Sequence, residues 1–122
     1  MEKIIAFLAA LLLLAGCAQN KINQVEPVIE ATVVENIWHP EAYIPGKTKV
    51  VYKGTINASK TENWRHLREA DSYEVIVFQH TFEYENRSRE VRDGVMRFYF
   101  RPDLQRLYHW EWADNRTPLW EQ

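Results

Sequence analysis

Asp71-Ser72-Tyr73-Glu74-Val75-Ile76-Val77-Phe78-Gln79-His80-Thr81-Phe82-Glu83-Tyr84 is the stretch that decides the fold. Side chains alternate across a strand with a period of two. Read that way, Ile76, Phe78, Phe82 and Tyr84 fall on one side and Tyr73, Val75 and Val77 on the other. Apolar groups on both sides predict a central strand covered twice, at least over its first half.

Downstream, Glu85-Asn86-Arg87-Ser88 is a polar break, after which Glu90 to Arg101 resumes the alternation, with Met96, Phe98 and Phe100 opposed to Arg97, Tyr99 and Arg101. That predicts a second, half-buried strand. Asp93-Gly94 inside it reads as a bulge or as the turn itself, and the stronger strand signal after it favours the bulge. Pro102-Asp103 supplies the next reversal, because proline pre-sets the backbone for a tight turn. Leu107 to Trp112 closes the run, with Tyr108, Trp110 and Trp112 on one face and Leu107, His109 and Glu111 on the other. Three successive strands with short polar reversals make an antiparallel meander.

Upstream, Lys49 to Ile56 reads as a strand, and Trp38-His39-Pro40-Glu41 and Pro45-Gly46 as loop punctuation. Ser59-Lys60-Thr61-Glu62 fits a capping box followed by a short helix whose Trp64, Leu67 and Ala70 share one face. Val28, Ile29, Val33 and Val34 form a β-rich stretch broken by Pro27, which suits an edge strand or an extended arm. The expected fold is therefore α+β: a small antiparallel β-meander sheet with one short helix, in the order β-α-β-β-β.

At the amino end, Met1 to Lys3 is a short polar head and Ile4 to Ala15 an apolar run closed by the small residues Ala15 and Gly16, the layout of a secretory signal. Twelve residues in a helix rise about 18 Å, short of the roughly 30 Å hydrocarbon core, so the run reads as removable rather than as a permanent span. Leu14-Ala15-Gly16-Cys17 resembles the lipobox of bacterial lipoproteins. The resemblance covers about the first seventeen residues. It implies cleavage between Gly16 and Cys17, a diacylglycerol on the Cys17 sulfur and an acyl chain on its new amino group. One acyl chain binds a membrane only marginally, whereas two or three anchor a protein to it stably. The residue after the cysteine is Ala18 rather than Asp. In a Gram-negative host the resemblance then implies the inner leaflet of the outer membrane with the domain facing the periplasm; in a Gram-positive host it implies the outer face of the plasma membrane.

Three segments follow from this reading: a signal peptide over residues 1–16, a lipidated amino terminus and flexible tether over 17–24, and a single β-rich domain over 25–122. The seven residues Ala18 to Gln24, with almost no apolar content, reach at most about 25 Å when extended. About 106 residues remain after cleavage, enough for one core without staples. Cys17 is the only cysteine, so lipidation leaves no thiol for a disulfide. Residues 1–16 hold one acid, Glu2, and one base, Lys3, so the remainder keeps the net charge of −2. Neither that balance nor the compartment favours nucleic acid as a partner.

The sequence holds no G-x-S-x-G elbow, P-loop, dinucleotide fingerprint or H-E-x-x-H helix. Neither a catalytic residue nor a metal ligand is assigned, because His39, His66, His80 and His109 are scattered over loop, helix and strands. Glu83 with Glu85, and His109 with Glu111, are i,i+2 pairs that a strand would place on one face. Such carboxylates serve glycoside hydrolysis as acid and base, but they also occur on ordinary solvated sheet faces near arginines such as Arg87, Arg89 and Arg106.

The aromatic end carries the other functional expectation. Tyr108, Trp110, Trp112 and Trp120 fall within the last fifteen residues, and interfaces favour Trp and Tyr. Strand alternation equally makes Trp110 and Trp112 core residues. Trp120, beyond Thr117-Pro118, must dock back on the domain or on a partner. The expected protein is a lipid-anchored, non-catalytic binder of an envelope protein or peptidoglycan. It needs no cofactor beyond the covalent lipid, and its other partner is the membrane itself. Alternatives are a lipidated lysozyme inhibitor or an exclusion factor against phage or plasmid entry, and, further off, a glycan hydrolase using Glu83, Glu85 or Glu111.

Overall fold

The computed structural model describes the backbone of residues 2–61, 64, 70–114 and 116–122, and their side chains from residue 19 onward. A helix, α1 (Glu2–Glu35), precedes four strands: β1 (Ile44–Asn57), β2 (Ser72–Glu85), β3 (Val91–Phe100) and β4 (Leu107–Trp112). They form one antiparallel sheet in the order β1-β2-β3-β4. The architecture is mostly β and α+β-like, and among the described residues the one α-helix comes before every strand, whereas the expected order placed a helix between the first and second. Ala58–Lys60 forms a 3₁₀ turn, and the short helix expected after the capping box falls mostly outside the described residues. Glu62 and Leu67 lie outside the described residues.

The largest departure from expectation is α1. The stretch from Val28 to Val34, read above as β-rich, is helical, and Pro27 sits inside the helix. Ile22, Val25, Ile29 and Val33 recur at steps of three, four and four, so they form one apolar stripe, and the last three are completely buried against the sheet. Pro27 removes one backbone link and costs about 3 kcal/mol. Burying three aliphatic side chains yields about 1.5–3 kcal/mol each, so tertiary packing overrides the local β preference. Thr32 Oγ1 donates to the Val28 carbonyl at 2.7 Å and Asn36 Nδ2 to the Thr32 carbonyl at 2.8 Å, which serves the helix end.

Residues 18–24 are also helical rather than extended. At about 1.5 Å per residue they rise about 10 Å, less than half the reach of an extended tether. Ile22 within them already packs on the core.

The two faces of β2 divide as the alternation predicts. Ile76, Phe78, Phe82 and Tyr84 face the helix with Met96, Phe98 and Phe100 of β3, while Tyr73, Val75 and Val77 lie on the outer face with Tyr99. Both central strands are thus buried on both sides, β3 more completely than its arginines suggested. Asp93-Gly94 is no bulge, because Glu83 pairs Asp93 and Phe82 pairs Gly94 without a break in register. The glycine serves packing: a Cβ there would lie 2.5 Å from the Phe82 ring. Irregularities fall instead between Pro45 and Thr48, between Val50 and Tyr52, and at the start of β4.

The irregularity in β4 redirects an aromatic. Phe100 pairs Leu107 and Tyr99 pairs His109, leaving Tyr108 as an extra residue. Leu107, Trp110 and Trp112 pack on the helix side, whereas Tyr108 packs on the outer cluster. Simple alternation had put Tyr108 with Trp110 and Trp112. The outer cluster is covered by Trp64 and by the carboxyl-terminal Leu119 and Trp120.

Candidate functional site

Gly16 and Cys17, the cleavage and lipidation residues, lie in the backbone of α1, five positions before Ile22 enters the core. Among the described residues, no helix is long and apolar enough to cross a membrane.

The four aromatics of the carboxyl end are not brought together. Trp112 lies 5.8 Å from Phe82 and 5.5 Å from Tyr84, ring centre to ring centre, on the helix side with Trp110. Tyr108 meets Tyr73 edge-on and Trp64 in a stack on the opposite face. Trp120 docks back onto its own domain, stacked on Tyr52 at 4.7 Å with planes 6° apart. Each ring therefore has aromatic or core neighbours within the domain.

The outer face carries a buried polar constellation instead. Arg97 and Glu111 are directly opposed on β3 and β4, and their side chains are only 6% and 11% exposed. Arg97 Nη1 lies 3.4 Å from Glu111 Oε1, while Nη2 donates to the carbonyls of Arg116 at 2.7 Å and Ala113 at 3.3 Å. Tyr99 Oη donates to the same carboxylate oxygen at 2.5 Å, and His109 Nε2 lies 3.9 Å from the other. The Arg97 guanidinium also sits 5.9 Å from the Trp120 ring.

Burial by itself raises the Glu111 carboxyl, but His109, the Tyr99 hydroxyl and the Arg97 charge together outweigh it and hold the group below its ordinary value. Burial, followed by the contact with Glu111, pushes the Tyr99 phenol well up. Glu111 is thus an ionised acceptor and Tyr99 a protonated donor, an arrangement that fixes the last strand and the tail after it. Glu111 also lines a hollow of about 580 Å³ with Lys60, Arg116 and Thr117, and Lys60 Nζ donates to the carbonyl of Gln122 across it. The i,i+2 reading located the His109 and Glu111 neighbourhood but missed Arg97. The available signal was the charge opposition of Arg97 and Glu111 about the Pro102-Asp103 reversal, which becomes visible once the hairpin register is known.

A second buried polar group lies on the helix side. His80 has Tyr43 Oη at 2.6 Å from Nε2 and Thr48 Oγ1 at 2.8 Å from Nδ1. A neutral imidazole donates through one nitrogen and accepts through the other, and either hydroxyl can match it. Burial lowers the tendency of His80 to protonate. The Tyr43 phenol is pushed up to about 12, first by burial and then by the charges of Glu30 and Glu26. His39 lies near the β2–β3 turn, 3.5 Å from the Arg87 carbonyl, and His66 is outside the described residues. Among the described residues no group of three His, Cys, Asp or Glu side chains converges as a metal site.

Glu83 and Glu85 lie near the β2–β3 turn. Glu83 pairs with Asp93 across the strands, while Glu111 pairs with Arg97 four residues further along β3. Four residues of strand span about 13 Å. Glycosidase acid–base pairs stand roughly 5–9.5 Å apart, so Glu83 and Glu111 do not share such a geometry. Glu85 is engaged by Arg89 at 3.4 Å.

No protein-family model, curated protein or solved structure matches this chain.

Proposed function

We propose that this chain is a bacterial lipoprotein, cleaved between Gly16 and Cys17 and anchored through acyl chains on Cys17. Its β domain binds another component of the cell envelope without catalysing a reaction. The observation that carries the reading is the intact Leu14-Ala15-Gly16-Cys17 motif closing the apolar run that starts at Ile4. In a Gram-negative host the Ala18 that follows the cysteine favours the outer membrane, with the domain toward the periplasm; in a Gram-positive host the anchor is in the outer face of the plasma membrane. Helical continuation from this motif into the buried stripe at Ile22 and Val25 suits the reading, because it couples the anchor to the core through one short rigid segment.

Cys17→Ser tests the anchor. Wild-type protein takes up labelled palmitate, is processed and fractionates with membranes. The variant loses the label and accumulates as unprocessed precursor. Equal processing and labelling in both proteins would overturn the assignment.

A further inference from the structure

Exposed large apolar side chains gather at one end of the domain, where β1 begins and β2 turns into β3. Ile44 is 57% exposed, Val91 63% and Trp38 64%. Arg87 lies over the Trp38 ring at 5.2 Å, which places that side chain by the β2–β3 turn. Two hollows of about 380 and 240 Å³ meet here and share Ile44 and Glu83. The first is walled by Pro45, Phe82 and Val95, the second by Ala42, Tyr84 and Val91. Gly46 lets β1 close on Thr81 along the wall of the first one, since a Cβ at that position would lie 2.5 Å from the Thr81 carbonyl oxygen.

Charge tells what fits the groove. Glu83 and Asp93 are exposed and directly opposed across β2 and β3, a placement that like charges disfavour. The other acids at this end have basic neighbours: Arg89 is 3.4 Å from both Glu41 and Glu85, and Arg92 is 2.9 Å from Glu90. Among the described residues, no base lies within ion-pair distance of Glu83 or Asp93. An apolar groove carrying two unneutralised carboxylates is complementary to a segment that brings both bases and small apolar groups.

We propose that this groove docks a short extended segment of a partner protein that carries basic and β-branched apolar side chains together on one face, at every second residue. The bases meet Glu83 and Asp93, and the apolar groups cover Ile44 and Val91. The proposal rests on the reading of the domain as a binder and supplies the partner's chemistry. It does not involve Cys17.

The test uses the full chain purified in a neutral detergent and a fluorescein-labelled peptide, Lys-Ser-Val-Ser-Lys, with empty micelles subtracted. Fluorescence anisotropy should show saturable binding that weakens at least tenfold in a Glu83→Gln/Asp93→Asn double variant and at least threefold in Ile44→Ser. Both changes are at exposed positions, and a melting temperature no lower than that of the wild type shows that the fold is intact. Binding should also weaken as salt rises, because exposed charges are screened over about 10 Å at 0.1 M ionic strength. The charge-reversed peptide Glu-Ser-Val-Ser-Glu should not bind. Equal binding of the two peptides, or no change in the double variant, would overturn the proposal. So would concentration-dependent self-association abolished by the same substitutions, which would make the occupant a second copy of the chain. A Cys17→Ser chain must retain peptide binding, so failure here and failure of the lipid anchor are separate results.

Discussion

Replacing Arg97 by Met removes a buried charge and keeps most of the side-chain length, which makes it a direct measure of the outer-face network. The substitution strips one donor from Glu111 Oε1 and leaves the carbonyls of Ala113 and Arg116 without their guanidinium partner. Tyr99 still reaches the carboxylate, so Glu111 is weakened rather than abandoned. Breaking one side of a buried ion pair costs about 3–5 kcal/mol, and this pair is shielded enough for the figure to apply. At about 4 °C per kcal/mol for a domain of this size, melting should fall by about 12–20 °C. Urea unfolding followed by tryptophan fluorescence reads the loss, with Trp120 close to the altered site. The double variant Arg97→Met/Glu111→Leu should recover much of it, since two apolar groups replace two charges. A single-variant loss under about 1 kcal/mol, or additivity of the two substitutions, would refute the claim that these residues act as a unit.

His80 gives a pH dependence. Its folded-state pKa is depressed by burial, so the unfolded chain takes up the proton first and stability falls as pH drops below 6.5; His80→Phe should flatten that limb in urea titrations at pH 7 and 5. Gly94→Ala forces a methyl against the Phe82 ring and should cost about 1–3 kcal/mol, whereas a dispensable glycine would show a gain on thermal unfolding. Arg89 has φ 62° in the β2–β3 turn, so Arg89→Gly relieves about 1 kcal/mol of backbone strain while losing two exposed ion pairs worth less. Its chemical-denaturation midpoint should not fall. Trp120→Ala removes the stack on Tyr52 and should cost roughly 1–2 kcal/mol, with faster proteolysis near residue 117; an unchanged cleavage rate would show that the tail is held without it.

The strands announce themselves through alternation because each face of β2 is buried in a different layer, and the polar breaks at Glu85–Ser88 and Pro102-Asp103 mark real reversals. The helix was hidden by its composition. Val28, Val33 and Val34 carry a local β preference and Pro27 disfavours a helix interior, while the three- and four-residue steps of Ile22, Val25, Ile29 and Val33 hold the opposite message, which only the sheet beneath makes decisive. Tyr108 was placed on the wrong face because one extra residue in a strand reverses everything before it, and nothing in Leu107-Tyr108-His109 marks the insertion. The polar site was half legible: His109 and Glu111 stood out as neighbours in sequence. Arg97 did not, since its partner lies fourteen residues away and depends on pairing register.

One helix both carries the proposed attachment point and inserts Val25, Ile29 and Val33 beneath the sheet. Tension between membrane and partner would then run lengthwise along that helix and load its packing seam in shear, spreading the pull over several side chains instead of peeling away one strand. The domain would be built to stay folded while being tugged.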